Sequence, residues 1–157
     1  SLRAEINIGD IVVSKDACEH DMDVSPLGYE PGIIPQMKAS FFEADRTLVE
    51  TAMAVCREVN PDIEVYEGRV LSGDQFISDN DKKNWLISTF DGSCTEMEGA
   101  AIAQAAWLNE VPFVIIRAIS DKADDSAEMD YPTFEAIAAR RCAQVARMMA
   151  QKLSKKQ

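Results

Sequence analysis

The chain has 157 residues, 46% of them hydrophobic and 27% charged, which suits one domain with a buried core. Twenty-seven acidic against 16 basic side chains leave a net charge of −11, and a surface that acidic repels phosphate backbones and anionic lipids, which excludes nucleic acid and membrane as partners. No apolar run approaches the ~20 residues that cross a bilayer, and the start, Ser1 to Asn7, lacks the regions of a signal peptide, so the cytoplasm is the expected compartment.

In chain order, Gly9-Asp10 leads into a short strand, Ile11 to Ser14, with no obvious element before it. Such a strand is expected to present an unpaired edge. From Asp16 to Ser40 the chain carries Pro26, Gly28, Pro31, Gly32 and Pro35, too many breakers for a helix. Loops of this length are often functional. The only histidine, His20, lies here between Glu19 and Asp21. With no second histidine it reads as a hydrogen-bonded structural residue rather than a metal ligand. Glu43 to Val59 has a helical stripe ending at Asn60-Pro61, and Ile63 to Leu71 reads as a strand stopped by Ser72-Gly73-Asp74. Asp79-Asn80-Asp81 offers an N-cap for a helix through Phe90.

A further strand separates that helix from an alanine-rich one, Glu98 to Asn109. Pro112 to Ser120 is apolar, β-branched and without alternation, as expected of a strand buried on both faces. It turns polar at Ser120-Asp121. Thr133 to Leu153 is the closing helix. Strands alternating with helices predict an α/β fold, a three-layer α/β/α sandwich on a mixed, largely parallel sheet. The four cysteines (Cys18, Cys56, Cys94, Cys142) form no C-x-x-C pair, so reduced, mostly buried thiols are expected, with no metal and no cofactor.

No dinucleotide, P-loop, nucleophile-elbow or zinc-protease motif is present. The remaining candidates are carboxylates at strand ends: Glu96, Glu98, Asp121 and Asp74. Carboxylates serve reactions in which a leaving group needs a proton and a cationic, sugar-like centre needs stabilising. Holding an aspartate protonated at neutral pH requires about 4 kcal/mol of differential stabilisation, obtainable from burial and neighbouring negative charge. Asp121 taken alone also fits a turn cap.

Four segments together, Gly9 to Ser14, Ser72 to Ile77, Glu96 to Ala101 and Arg117 to Asp121, resemble the 5′-methylthioadenosine/S-adenosylhomocysteine nucleosidases of the nucleoside phosphorylase superfamily. The resemblance implies hydrolysis of an adenine nucleoside. Asp121, with Ser120 beside it, matches the acid that protonates adenine at N7. Glu98 matches the ribose carboxylate, Met97 the methionine under the sugar, and Glu96 the acidic residue that starts that motif. Phe76 and Ile77 match the base wall. Tyr131, where the family usually has phenylalanine, and Phe134 fall in the segment lining the 5′-thio pocket. Val24, Leu27 and Pro35 match positions that a neighbouring subunit of a homodimer contributes, with Leu27 standing where an aromatic is common.

Members of the family begin with a strand and a glutamate-bearing loop that positions the attacking water, and this sequence starts after both. Residues 1–157 are therefore expected to be a single nucleosidase-like domain truncated at its N-terminus, inactive alone, with a separate N-terminal segment as a further partner. Three other readings stay open: a phosphorylase, a hydrolase of another 5′-substituted nucleoside, and a non-catalytic nucleoside-binding or assembly module. The phosphorylase is disfavoured because Lys122 is the only basic residue between Asp121 and Phe134.

Overall fold

Residues 1–123 and 131–155 are described by a computed structural model. Strand β1 (Ile11–Glu19) is central. It alternates because its two faces meet different layers: Ile11 and Val13 point into one apolar cluster, Val12 into another. On one side it pairs in parallel with β3 (Val65–Ser72), which in turn pairs in parallel with β4 (Gly92–Glu96). On the other side it pairs antiparallel with two short strands. β5 (Ile116–Ala118) takes its first half and β2 (Phe42–Glu43) its second.

Four helices cover this sheet. α1 (Arg46–Val59) and α4 (Tyr131–Ser154) share one cluster, where Val49, Ala52, Val55, Val145 and Met149 close over Ile11, Val13 and Val65. α3 (Gly99–Leu108) covers the opposite face, with Ala100 and Ala103 against Val12, Val70 and Cys94. α2 (Asn80–Phe90) buries Leu86 and Phe90 against Cys18 and Leu71. The result is the expected three-layer α/β/α sandwich on a mixed, largely parallel sheet. Asp79 caps α2 as the sequence suggests, accepting the Lys82 N–H at 2.7 Å, and α1 is capped by Asp45, which accepts the Leu48 N–H at 2.9 Å.

Several expectations are corrected. The strand at Ile11 runs on to Glu19, and the breaker-rich loop begins only at His20. Its edges are both paired, so no open edge arises there. The segment around β5 is half-buried rather than enclosed, because it lies on the outer side of β1. Its side chains nonetheless divide between the two layers, Phe113 and Ile115 against one cluster and Val114 and Ile116 against the other. Within the breaker-rich loop, Ile34 packs with Met37 against the α3-side cluster. Among the described residues no helix is long and apolar enough to cross a membrane.

Candidate active site

Three chain segments converge on one pocket of about 310 Å³: Gln75 to Ile77 after β3, Thr95 to Glu98 at the end of β4, and Arg117 with Ser120 and Asp121 at the exit from β5. β5 runs antiparallel to β1, so Asp121 does not stand at the carboxyl end of a parallel strand as expected. The turn after β5 brings it to the pocket instead. Its carboxylate is fixed from two sides, Ser120 Oγ donating at 2.7 Å and the Ala123 N–H at 2.8 Å. The Ser1 amino group donates to the Asp121 carbonyl.

Glu96 and Glu98 have opposite surroundings. The Glu96 side chain is 4% exposed and receives the N–H groups of Glu98 and Gly99, the latter at 2.9 and 2.8 Å to its two oxygens. It also accepts from the Ser72 hydroxyl, and Ser72 Oγ in turn receives the Ala100 N–H at 2.7 Å. Glu96 and Ser72 thus occupy the orphan N–H groups at the start of α3, where the helix dipole favours a carboxylate. Glu98 remains 62% exposed at the pocket rim. Arg117 spans both, 3.2 Å from Glu96 and 3.5 Å from Glu98. The lining therefore holds three carboxylates against one guanidinium.

Phe76 is 70% exposed and Met97 45%, both presenting apolar surface to the pocket, while Ile77 is buried beneath them. Phe134 begins the second turn of α4 and Val24, Leu27 and Pro35 lie in the loop after β1; none lines the pocket of this chain. The side chain of Tyr131 lies outside the described residues. Lys122 turns away, its ammonium donating to the carbonyls of Ala4 at 3.0 Å and Ile6 at 2.6 Å. The cation of the site is Arg117, which the search for basic residues after Asp121 passes over. Its place inside the Arg117 to Asp121 motif was the available signal. Gln75 and Thr95 also line the pocket without having been singled out.

His20 contradicts the hydrogen-bonded reading. It is 1% exposed, and neither ring nitrogen has a hydrogen-bond partner. Burial holds its pKa below the usual histidine value, against the pull of the neighbouring Asp21. Asp74 is turned out of the pocket lining; its N–H donates to Asp21 at 2.7 Å. Among the described residues no cluster of histidine, cysteine and carboxylate side chains is arranged to hold a metal.

A family model, that of the phosphorylase superfamily, matches residues 1–151. The 5′-methylthioadenosine/S-adenosylhomocysteine nucleosidase of an Exiguobacterium strain is 41% identical over 133 residues, which cover 82% of this chain and 55% of the relative. A mutant of the Helicobacter pylori nucleosidase, solved with 5′-methylthioadenosine in its active site, superposes with a TM-score of 0.87 at 33% identity, covering 97% of this chain and 64% of that one. The native futalosine hydrolase of Helicobacter pylori gives a TM-score of 0.87 at 34% identity, again covering 97% of this chain and 64% of that one. The chain thus spans 55% to 64% of the length of these relatives.

Proposed function

This chain belongs to the phosphorylase superfamily, and from that premise we propose that its pocket serves hydrolysis of the N-glycosidic bond of 5′-methylthioadenosine and S-adenosylhomocysteine, with release of adenine. The observation that carries the reading is the sharing of one pocket by an oriented aspartate, Asp121, an exposed carboxylate, Glu98, and an apolar wall, Phe76 with Ile77. Adenine stacks on that wall, and Asp121 delivers a proton to N7 so that the base leaves neutral. Glu98 accepts from the ribose hydroxyls and gains strength as positive charge grows on the sugar. Met97 lies under the ring. Glu96, anchored to α3 and Arg117, holds this arrangement from behind.

A phosphorylase reading would place an anion among three carboxylates and a guanidinium already paired to two of them, which opposes phosphate. A second hydrolase reading rests on the equal likeness to futalosine hydrolase; the wall around the 5′-substituent decides between them. We further infer a cytoplasmic homodimer. Its partner's Val24, Leu27 and Pro35 would complete the 5′-thio wall, and Leu27, 73% exposed, is the side chain most in need of cover.

The test is titration of the chain with 5′-methylthioadenosine and futalosine, followed by amide resonances. The expected shifts fall on Gln75 to Ile77, Met97, Glu98 and Ser120 to Asp121. Phe76→Ala is expected to weaken binding at least tenfold, whereas Asp121→Asn changes it only a few-fold. Saturable binding indifferent to Phe76→Ala and Glu98→Ala would place the ligand elsewhere and overturn the reading.

A further inference from the structure

The chain's only histidine is 1% exposed, and neither of its ring nitrogens has a hydrogen-bond partner. Leucine or phenylalanine would fill its slot without stranding two ring nitrogens, and a stranded polar group in a packed interior calls for a role. The slot lies against Gly73, three residues before Phe76. A Cβ added to Gly73 would stand 2.5 Å from His20 Nε2 and 2.8 Å from Asp21 Oδ2. The imidazole, the Asp21 carboxylate and the Gly73 backbone are therefore pressed together at one point.

Backbone bonds extend this contact. The His20 N–H donates to the Ser72 carbonyl at 2.8 Å, and the Gly73 N–H to the Glu96 carbonyl at 3.2 Å. The Asp74 N–H donates to the same Asp21 Oδ2 at 2.7 Å. The end of β1 thus grips residues 72–74, and the next three residues, Gln75, Phe76 and Ile77, line the pocket.

We propose that His20 is a positioning residue for the base wall: its neutral ring seats Gly73 and leaves Asp21 to hold the Asp74 amide, and a proton on the ring breaks that hold. A protonated ring carries two N–H donors and a full charge, and of its neighbours the Asp21 carboxylate attracts it most. The charged ring draws the Asp21 carboxylate towards itself and away from the Asp74 amide that its Oδ2 holds, which frees the chain leading to Phe76. The charged groups acting on the ring are Asp21 directly after it, Glu96 from β4 and Lys82 from α2, with Glu19 its neighbour at the end of β1. Burial resists the proton and Asp21 favours it. For its bearing on nucleobase binding the proposal rests on the reading of Phe76 and Ile77 given above; the coupling of ring to loop does not.

A single histidine makes the experiment direct, since its ring resonances need no assignment among others. The ring of the 157-residue chain is titrated from pH 8 to pH 5 while exchange of the Asp74 amide is followed, corrected for its intrinsic pH dependence. The expected result is a loss of protection of at least tenfold at Asp74 that tracks the ring titration, with the midpoint below about 6.5. In His20→Phe, protection at Asp74 is expected to stay level over the same range. Protection that ignores the ring titration overturns the proposal without the variant, should that fail to fold. A second arm measures adenine binding by equilibrium dialysis at pH 7.5 and 5.5. Wild type is expected to lose at least fivefold more affinity than His20→Phe, and equal losses overturn the role at the wall. Coupling without adenine binding at either pH rejects the functional reading, and with it the role at the wall, but leaves the coupling of ring to loop standing.

Discussion

Two glutamates separated by one methionine show how little residue type decides by itself. Glu96 is enclosed by Ser72, two backbone N–H groups and Arg117, whereas Glu98 stands 62% exposed beside the same guanidinium. Glu96→Gln should therefore cost stability, roughly 1–3 kcal/mol; the value stays in that range because Arg117, 38% exposed, is left facing water rather than buried alone. Glu98→Gln should leave the urea midpoint unchanged and weaken nucleoside binding. Equal effects of the two on the midpoint would contradict this division. The motif that contains both was legible in the sequence, but its split into anchor and ligand group was not, because it depends on Ser72 and Arg117 arriving from other strands. The thiols carry a second residue-scale expectation. Burial pushes Cys18 and Cys94 up to about 12 and Cys56 up to about 11, while Cys142 is exposed. Ellman's reagent at pH 8 should thus titrate one thiol quickly in the native chain and all four in guanidinium. Two or more fast native thiols would mean that the core around β1 or β4 opens readily.

The α3 N-terminus is where element and site depend on each other. Glu96 and Ser72 together take the N–H groups of residues 98–100, so the helix begins at the pocket because the pocket's own residues cap it. Ser72→Ala removes one cap and leaves Glu96 short of a donor, and it should lower stability by about 1 kcal/mol; amide exchange should quicken at Ala100 before it does at α1. Uniform quickening across both helices would show that Ser72 supports the whole fold instead. The helices were legible in the sequence by different signals, α1 by its apolar stripe, α2 by the cap at Asp79, α3 by its alanines and α4 by its apolar positions. Strands were harder. β2 is two residues long and owes its existence to Ala17 and Asp16 across from it, with Phe42 tilted against Trp107 at 5.9 Å between ring centres. Nothing local distinguishes such a strand from the loop it ends. For β5, an unbroken apolar run suggested enclosure, yet the same run suits a strand at the outer side of β1 whose two faces meet different clusters.

At the scale of the whole molecule, pH enters through His20 and catalysis through what the pocket's carboxylates are already doing. The unfolded chain takes up a proton at His20 near pH 6.5, while the buried ring resists it, so the unfolded state binds more protons just below that pH. Stability held at neutral pH should fall as the pH drops through about 6.5 and stop falling once it passes the folded value. Urea midpoints at pH 7.5, 6.5 and 5.5 should show this, with a shallower trend in His20→Phe; identical trends would mean that carboxylates dominate. Turnover is the stricter test. Hydrolysis needs an acid at the leaving group and a base for water on the opposite face of the sugar. Of the carboxylates lining the pocket, Asp121 is held by Ser120 and the Ala123 N–H and is the proposed acid; Glu96 is saturated by four donor groups. Glu98, beside Arg117, is the group proposed above for the ribose hydroxyls. Among the described residues no further carboxylate lines the pocket, so residues 1–157 by themselves should bind the nucleoside and release adenine slowly, below about 0.01 per second where enzymes commonly reach about 10. The measurement is chromatographic detection of adenine from 5′-methylthioadenosine, with mass spectrometry establishing that no other polypeptide accompanies the chain. A rate near 1 per second would mean that Glu98 or a residue outside the described ones activates the water. Glu98→Gln would then separate the two, abolishing turnover in the first case and only slowing it in the second.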